Sequence, residues 1–475
     1  MTNRLEHHRR RLAACGQDHL LRFWSRLDER QRAALLDDLD QVDLDRCLPL
    51  VDTLVRTRPA PVLPRRIEPA EILPAEPDAA RERLYARARE VGARAVAEGR
   101  VAAFTVAGGQ GTRLGFDGPK GAFPISVVRD APLFQLFAEF LLGVERRYGR
   151  RPRWYIMTSP SNHAETLAFL ERHAYFGLAA DDVMLFSQAQ MPAFLPDGRI
   201  ALAEPHRVAL SPDGHGGSLW ALAGGGALRD MRERGIEHIS YFQVDNPLVR
   251  PIDPLFIGLH IETGSEMSSK AVVKADDTER VGNFAVADGR LCVIEYSDLP
   301  DELARARTPA GQRLFDAGSI AVHLLSREFV ERLTRPGSGV ELPWHRADKR
   351  TQVVLDDGRS VTPSTPNVVK LEMFVFDAIP LARNPLVLYT RREEEFSPVK
   401  NADGVDSPAT TRRDLNRRAA RWFEHCNGTV PRDPAGEPAA TIEISPRFAL
   451  DQEDLRARLS AGHPAIRPGA TLLLA

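Results

Sequence analysis

The sequence predicts an α/β protein, with a mostly parallel sheet in a central domain, a helical N-terminal region and a small C-terminal domain. Three observations predict it. From residue 101 to about 385, short apolar runs alternate with helix-patterned segments, the signature of strands joined by crossover helices. Before residue 57 apolar residues recur at helical spacing, as in Leu20, Leu21, Trp24 and Leu27, then Leu35, Leu36 and Leu39. After Pro385 the alternation stops. The expected partition is a helical region over 1–97, a catalytic domain over 98–386 and a small domain over 387–475.

Each element follows in order. RPAPVLPRRIEPAEILPAEPDAA, from Arg58, is a proline-punctuated connector, and 79–99 returns to a helical pattern. VAAFTVA (101–107) reads as a buried strand ended by a glycine-rich loop. RWYIMTS (153–159) is a second strand, followed by a helix-like segment from Asn162 to His173. DVMLFSQ (182–188) and HISYFQVDN (238–246) are further strands, and AVVKA and RLCVIEYSDL look like later ones. In such sheets ligands gather at the carboxyl ends of strands, where Gly108, Thr158, Gln188 and Asp245 stand. In the tail, TIEIS and TLLLA read as short strands among Pro/Gly turns.

Composition excludes several classes. A formal net charge of -2 gives no global basic field for nucleic acid or membrane. No run reaches the roughly 18 apolar residues a membrane span needs, and the first residues have no apolar core of signal-peptide length. The four cysteines are scattered and form no CxxC pair, which points away from zinc or a disulfide framework. A cytoplasmic protein is expected. Of 63 Lys+Arg only six are lysines: Lys120, Lys270, Lys274, Lys349, Lys370 and Lys400. Codon bias alone could fill basic positions with arginine; the other reading is that a lysine that persists marks a position where a compact charge serves better than a planar fork.

The loop AGGQGTRLGFDGPKG (107–121) carries six glycines, one arginine and one lysine. A Walker A loop needs GxxxxGK[ST], and the chain has no Gly-Lys dipeptide. A dinucleotide fingerprint needs GxGxxG, but Leu114 stands where the third glycine belongs. What the loop does offer, across Ala107, Gly108 and Gly109, is backbone that can pass close to a flat base and ribose, because no Cβ intrudes at the glycines. Gly111, Thr112 and Arg113 then present amides and a guanidinium to phosphates, and Lys120 adds a point charge.

AGGQGTRLGFDGPKGAFPI resembles the signature loop of nucleotidyltransferases that make nucleotide sugars. More narrowly it resembles that of the eukaryotic-type UDP-N-acetylhexosamine and UDP-glucose pyrophosphorylases. Further motifs follow in family order: MTS, PDGHGG, QVDNPLV, VGN with IEYSDL, FDAGSIA, KLEMFVFD and REEEFSPVKNADG. The likeness spans about residues 85 to 450. It implies a Rossmann-like (GT-A-like) central domain with a mostly parallel mixed sheet. The reaction it implies is UTP plus sugar 1-phosphate giving UDP-sugar plus pyrophosphate, with N-acetylhexosamine 1-phosphate as the leading substrate. In such chemistry catalysis is mostly positioning and charge neutralisation.

The resemblance also assigns residues. Arg113, Lys120, Lys370 and Lys400 would hold the phosphates, Lys400 coming from near the C-terminal domain. Asp245, ending a strand, would hold Mg²⁺. Ala107, Gly108, Gly109, Gly111, Thr112, Gln188, Met191, Pro192 and Gly214 would bind the nucleotide, with Gln188 reading the uracil edge. His215, Gly282, Glu295, Asp316, Ser319, Phe374 and Phe376 would line the sugar. Structural roles compete at each position: a turn cap for Asp245, a buried ion pair for Glu295 and plain core packing for the two phenylalanines.

Three positions depart from the N-acetylhexosamine pattern: His215 replaces the asparagine of PDGNGG, FDAGSI replaces FNAGNI, and Met373 replaces the second lysine of KMEKFVFD. A UTP–glucose-1-phosphate uridylyltransferase or a broad UDP-sugar enzyme is therefore the alternative. Other classes are a UDP-sugar-dependent glycosyltransferase, which would usually show a DxD motif, and a non-catalytic nucleotide-sugar sensor. Association as monomer or homodimer stays open, as does the role of the N-terminal helices.

Overall fold

The computed structural model describes residues 2–58 and 64–475; the start of the proline-rich connector, 59–63, lies outside them. Ten strands form the large sheet: β1 (Ile67–Pro69), β2 (Val101–Val106), β3 (Trp154–Thr158), β4 (Val183–Ser187), β5 (His238–Gln243), β6 (Met267–Val273), β7 (Asn283–Ala287), β8 (Arg290–Ile294), β9 (Ala317–Ser326) and β10 (Leu386–Tyr389). Their order is β1-β7-β9-β5-β2-β3-β4, with β6 pairing β9 and β10, and β8 pairing β7.

The expected parallel block is β5-β2-β3-β4. Every residue of β2 and β3 is buried, which is why these strands read as continuous apolar runs. Thr105 sits among them because its hydroxyl accepts from Trp154 Nε1 at 2.8 Å. Beyond β5 the pairing turns antiparallel through β9, β7 and β8. β10 lies parallel to β6, so the apolar run at 386–389 completes the large sheet.

Packing groups the chain differently from its linear order. One unit gathers 1–63, 188–219 and 341–378, and the other 64–187, 220–340 and 379–475. In the first unit, helices Thr2–Ala14 and Glu29–Gln41 belong with small hairpins. The second helix starts on a capping box between Asp28 and Gln31. Buried Asp38 accepts from Arg207 Nε at 2.8 Å and from the Val208 amide at 2.9 Å. Gln17 accepts from the Ile200 amide at 2.8 Å. These polar groups join the helices to the hairpins. In the second unit TIEI and TLLL pair in parallel (Thr441–Ile444 with Thr471–Leu474). Helix Pro408–His425 starts on a Ser407–Thr410 capping box with Pro408 in its first turn. Among the described residues no helix is long and apolar enough to cross a membrane.

Candidate active site

In the large unit the glycine loop leaves β2 and closes on itself. The Lys120 amide donates to the Gly109 carbonyl at 3.1 Å, and the Gly111 amide to the Gly118 carbonyl at 2.9 Å. Gly111 is required there, since a Cβ would stand 2.7 Å from the Phe116 ring. Asn162 Nδ2 ties the loop down from outside, donating to the carbonyls of Ala107 (2.9 Å) and Gly109 (3.3 Å). Thr112 and Arg113 are exposed. The Arg113 guanidinium has no protein partner among the described residues, so it is available to an anion.

Two residues beyond the end of β5 stands Asp245. Because β2 and β5 are parallel neighbours, their carboxyl ends fall side by side. Lys120 Nζ lies 3.9 Å from Asp245 Oδ2, and both side chains are more than four-fifths buried. The Asp245 carbonyl accepts from the Val399 amide at 2.8 Å, which brings the segment bearing Lys400 to the same turn. Asn246 fastens that segment: its Nδ2 donates to the Glu395 carbonyl at 2.7 Å, and its Oδ1 accepts from the Ser397 amide at 3.2 Å. Lys400 Nζ is 3.8 Å from Asp406 Oδ2. Burial pushes the Asp406 carboxyl up from its ordinary value, against the pull of Lys400.

A second group forms where β7 and β8 meet β9. The Ser319 amide donates to the Gly282 carbonyl at 2.8 Å. A Cβ at Gly282 would stand 3.4 Å from Glu295 Oε1, so Gly282, Glu295 and Ser319 are neighbours. Asp316 Oδ1 accepts from the Tyr389 hydroxyl. That bond and burial together raise the phenol's pKa. Asn283 and Ile294, the residues next to Gly282 and Glu295, are direct partners, and Lys274 Nζ reaches Asn283 Oδ1 at 2.9 Å.

The small unit carries the other predicted residues. Gln188 is buried, and its Nε2 donates to Asp213 Oδ1 at 3.1 Å and to the Gly214 carbonyl at 3.4 Å. Met191 and Pro192 lie on strand Gln190–Pro192, paired with Leu210–Pro212. Gly214 has φ +87°, and a Cβ there would lie 2.4 Å from the Met373 carbonyl, so only glycine lets the two segments approach. His215 stacks on Phe374 at 5.2 Å and 16°, and Phe374 stacks on His345 at 4.2 Å. Phe376 closes the group, 5.1 Å from Phe374. His215 Nδ1 accepts from the Val375 amide at 3.1 Å, so the neutral ring keeps its proton on Nε2. Burial, with His345 adding to it, lowers the His215 pKa to about 4. Lys370 lies on strand Val368–Met373 opposite Ala347. Burial lowers its pKa, and its ammonium has no ion-pair partner among the described residues.

Among the described residues, no three His, Cys, Asp or Glu side chains gather as a metal-holding group. Asp245 is a single carboxylate. That suits Mg²⁺, which usually takes one or two carboxylates and completes its shell with phosphates and waters.

Several polar residues gained a place only in three dimensions. Asn162, Asp213 and Asn246 each stand in or beside a motif recognisable in the sequence, as MTSPSN, PDGHGG and QVDNPLV. Tyr389 carries no local signal, since its partner lies 73 residues away.

Comparison with known proteins agrees with these motifs. The family model described as UTP–glucose-1-phosphate uridylyltransferase matches residues 65–420. The chain is 38% identical over 480 residues to "UDP-N-acetylhexosamine pyrophosphorylase-like protein 1" of Homo sapiens, covering 95% of this chain and 94% of that protein. It is 32% identical over 467 residues to "UDP-N-acetylglucosamine pyrophosphorylase" of Saccharomyces cerevisiae, covering 93% and 94%. Among solved structures, the uridine diphosphate N-acetylglucosamine pyrophosphorylase of Trypanosoma brucei superposes with a TM-score of 0.81 at 27% identity, covering 100% of this chain and 98% of that one. The Rossmann-like nucleotidyltransferase fold implied by the glycine loop is the fold observed. With more than two-thirds of its length matched and its relatives covered almost end to end, the chain belongs to the UTP–glucose-1-phosphate uridylyltransferase family of nucleotidyltransferases.

Proposed function

We propose that the chain joins UTP and an N-acetylhexosamine 1-phosphate, forming UDP-N-acetylhexosamine and pyrophosphate. The observation that carries this reading is Lys120, on the loop that follows β2, standing 3.9 Å from Asp245 just beyond the neighbouring parallel strand β5, with the Lys400 segment bonded to the same turn. The names of its relatives supply the sugar.

In the reaction a sugar phosphate oxygen attacks the α-phosphorus of UTP in line. The bond from that phosphorus to the bridging oxygen breaks, and pyrophosphate leaves with the electron pair. Arg113 and Lys120 bind the triphosphate, and Lys400 and Lys370 bind phosphate oxygens that gain charge in the transition state. Lys370, with its lowered pKa, is a donor already part-desolvated. Asp245 would hold Mg²⁺, which, when bound, neutralises phosphate charge. Ala107, Gly108, Gly109, Gly111 and Thr112 bind the nucleotide by backbone approach, and Gln188, Met191, Pro192 and Gly214 take the uracil. Gly282, Glu295, Asp316 and Ser319, with His215, Phe374 and Phe376, bind the hexose. Cytoplasmic residence belongs to the same reading.

The test is pyrophosphate release from UTP and Mg²⁺ with N-acetylglucosamine, N-acetylgalactosamine, glucose and galactose 1-phosphates. An N-acetylhexosamine winner is expected. Asp316 and Ser319 stand where the N-acetylhexosamine pattern has asparagines, and Asp316 is already engaged by Tyr389. That observation favours glucose as the second reading, and a glucose winner would establish it. Release with none of the four would overturn the reaction as written.

A further inference from the structure

Gln188 is held from behind by two groups that only accept. Its Nε2 faces Asp213 Oδ1 at 3.1 Å and the Gly214 carbonyl at 3.4 Å. An amide set against two acceptors must turn its NH₂ toward them, which leaves Oε1 facing away. Oε1 has no protein partner among the described residues.

Asp213 is itself locked. Its amide donates to the Ala189 carbonyl at 3.2 Å and its carbonyl accepts from Met373 at 2.8 Å. Gly217 leaves space for the carboxylate, since a Cβ there would come within 2.1 Å of Asp213 Oδ1. The residue is 1% exposed, and its Oδ2 is enclosed with no partner among the described residues. A buried carboxylate with one oxygen unsatisfied is costly. Its cost shows in a pKa raised to about 6 by burial, against the opposing bond from Gln188. An uncharged residue would pack there more cheaply, so what the acid adds is its bond to Gln188.

We propose that Asp213 is the positioning residue for base selection: it holds Gln188 with the carbonyl outward, favouring a pyrimidine that carries a proton on N3. Uracil has that proton. Cytosine presents a lone pair at the same position and meets the Gln188 oxygen with repulsion. The inference rests on the placement of Gln188 in the nucleotide pocket.

The experiment measures equilibrium binding of UTP and of CTP, without sugar phosphate, to wild type, Gln188→Ala, Asp213→Leu and Asp213→Asn. Asp213→Leu removes the acceptor. Asp213→Asn keeps the shape but offers one donor and one acceptor, so the amide of Gln188 is no longer forced one way. Gln188→Ala should lower the UTP:CTP preference. Asp213→Leu should lower it about tenfold or more, and Asp213→Asn by less, with UTP still bound. Asp213→Asn should also be at least as heat-stable as wild type above pH 6, which separates lost selectivity from lost structure. If Gln188→Ala lowers the preference and both Asp213 variants keep it, the inference is overturned. Should Asp213→Leu fail to fold, an unchanged preference in Asp213→Asn alone overturns it. If Gln188→Ala leaves the preference unchanged, the placement of Gln188 fails instead, and the inference with it.

Discussion

Lys120 and Asp245 face each other at 3.9 Å, too far for a hydrogen bond and close enough for one small ligand group to satisfy both. The two stand 125 positions apart: Asp245 lies just beyond β5, and Lys120 sits on the loop after β2, folded back by its amide bond to the Gly109 carbonyl, so the parallel pairing of β2 with β5 and the closure of that loop together bring them close. A pair this loose adds little to stability. Lys120→Ala and Asp245→Ala should each lower turnover by about a hundredfold or more while leaving the melting temperature within a few degrees of wild type. Pyrophosphate release and a thermal melt read the two quantities. Near wild-type rates in either variant would remove the phosphate and metal roles from these residues.

Lys270 is the persistent lysine with the clearest structural reason. Its ammonium is 1% exposed and donates to Asp253 Oδ2 and Glu395 Oε2, each at 2.6 Å. Burial opposes the charges, yet the two carboxylates hold the Lys270 pKa above its ordinary value, and Lys270 with Arg250 holds that of Asp253 below. Asp253 therefore contributes stability above the ordinary carboxylate range and loses it as pH falls through its depressed pKa. Lys270 contributes below the ordinary lysine value and loses it as pH rises through its raised pKa. Lys270→Met should cost about 3–5 kcal/mol in denaturant unfolding. The deficit should be full at about pH 9 and shrink as pH falls, because the variant's two buried carboxylates, left without the cation between them, can shed charge by taking up a proton. A deficit below about 1 kcal/mol at the alkaline end would show that the cluster is not ionised as drawn.

What was legible in the sequence was local. VAAFTV, WYIMT and HISYFQ are buried on both faces, so their apolar runs declared the parallel block without outside help. The anion site proposed for the glycine loop also rests on a local signal, the interleaving of its glycines with Thr112, Arg113 and Lys120. The grouping of the N-terminal helices with 188–219 and 341–378 was not legible. It rests on single polar contacts such as Gln17 to Gly198 and Arg346 to the carbonyl of Val55. A helical period marks which face is apolar and says nothing about which distant hairpin a buried Asp38 will meet. The Tyr389–Asp316 bond was hidden for the same reason: the phenol reads as one more apolar strand residue until β10 is laid beside β6.

His215 gives a pH prediction with a definite sign. Its pKa in the fold is about 4, lowered by burial first and then by His345. Unfolded, it titrates near the ordinary 6.5, so the unfolded chain binds the extra proton as pH falls from 6.5 to 4. Stability from this site is fully present above 6.5 and is lost across that range, by up to about 3 kcal/mol. Asp213 works the other way, since its raised pKa relieves a burial cost as pH falls through about 6. His215→Asn removes the first effect and leaves the second. The variant should gain on wild type steadily between pH 6.5 and 4 in thermal melts. It also restores the residue of the N-acetylhexosamine pattern, and kcat/KM should move toward N-acetylhexosamine 1-phosphates over glucose 1-phosphate. A gain in stability with no change in sugar preference would confine His215 to packing against Phe374.

Tyr389 and Asp316 make the last prediction, and it separates sugar from nucleotide. The Tyr389 hydroxyl occupies Asp316 Oδ1, while Oδ2 has no hydrogen-bond partner among the described residues and can accept from a hexose hydroxyl. At neutral pH the Tyr389 phenol keeps its proton, because burial and the carboxylate raise its pKa. Tyr389→Phe deletes one donor and little volume. The carboxylate then loses its orientation, and KM for the sugar 1-phosphate should rise by about three- to tenfold with KM for UTP unchanged. Asp316→Asn tests the same bond from its other end. Its amide can still accept from Tyr389 through Oδ1, which puts an NH₂ where Oδ2 stood. A ligand that donated to Oδ2 should bind more weakly, and one that presents a carbonyl, as an acetamido group does, should bind more tightly. Initial rates with the two sugar classes against both variants decide it. Equal KM changes for UTP and sugar would mean that the Tyr389–Asp316 bond supports the sheet and does not shape the hexose pocket.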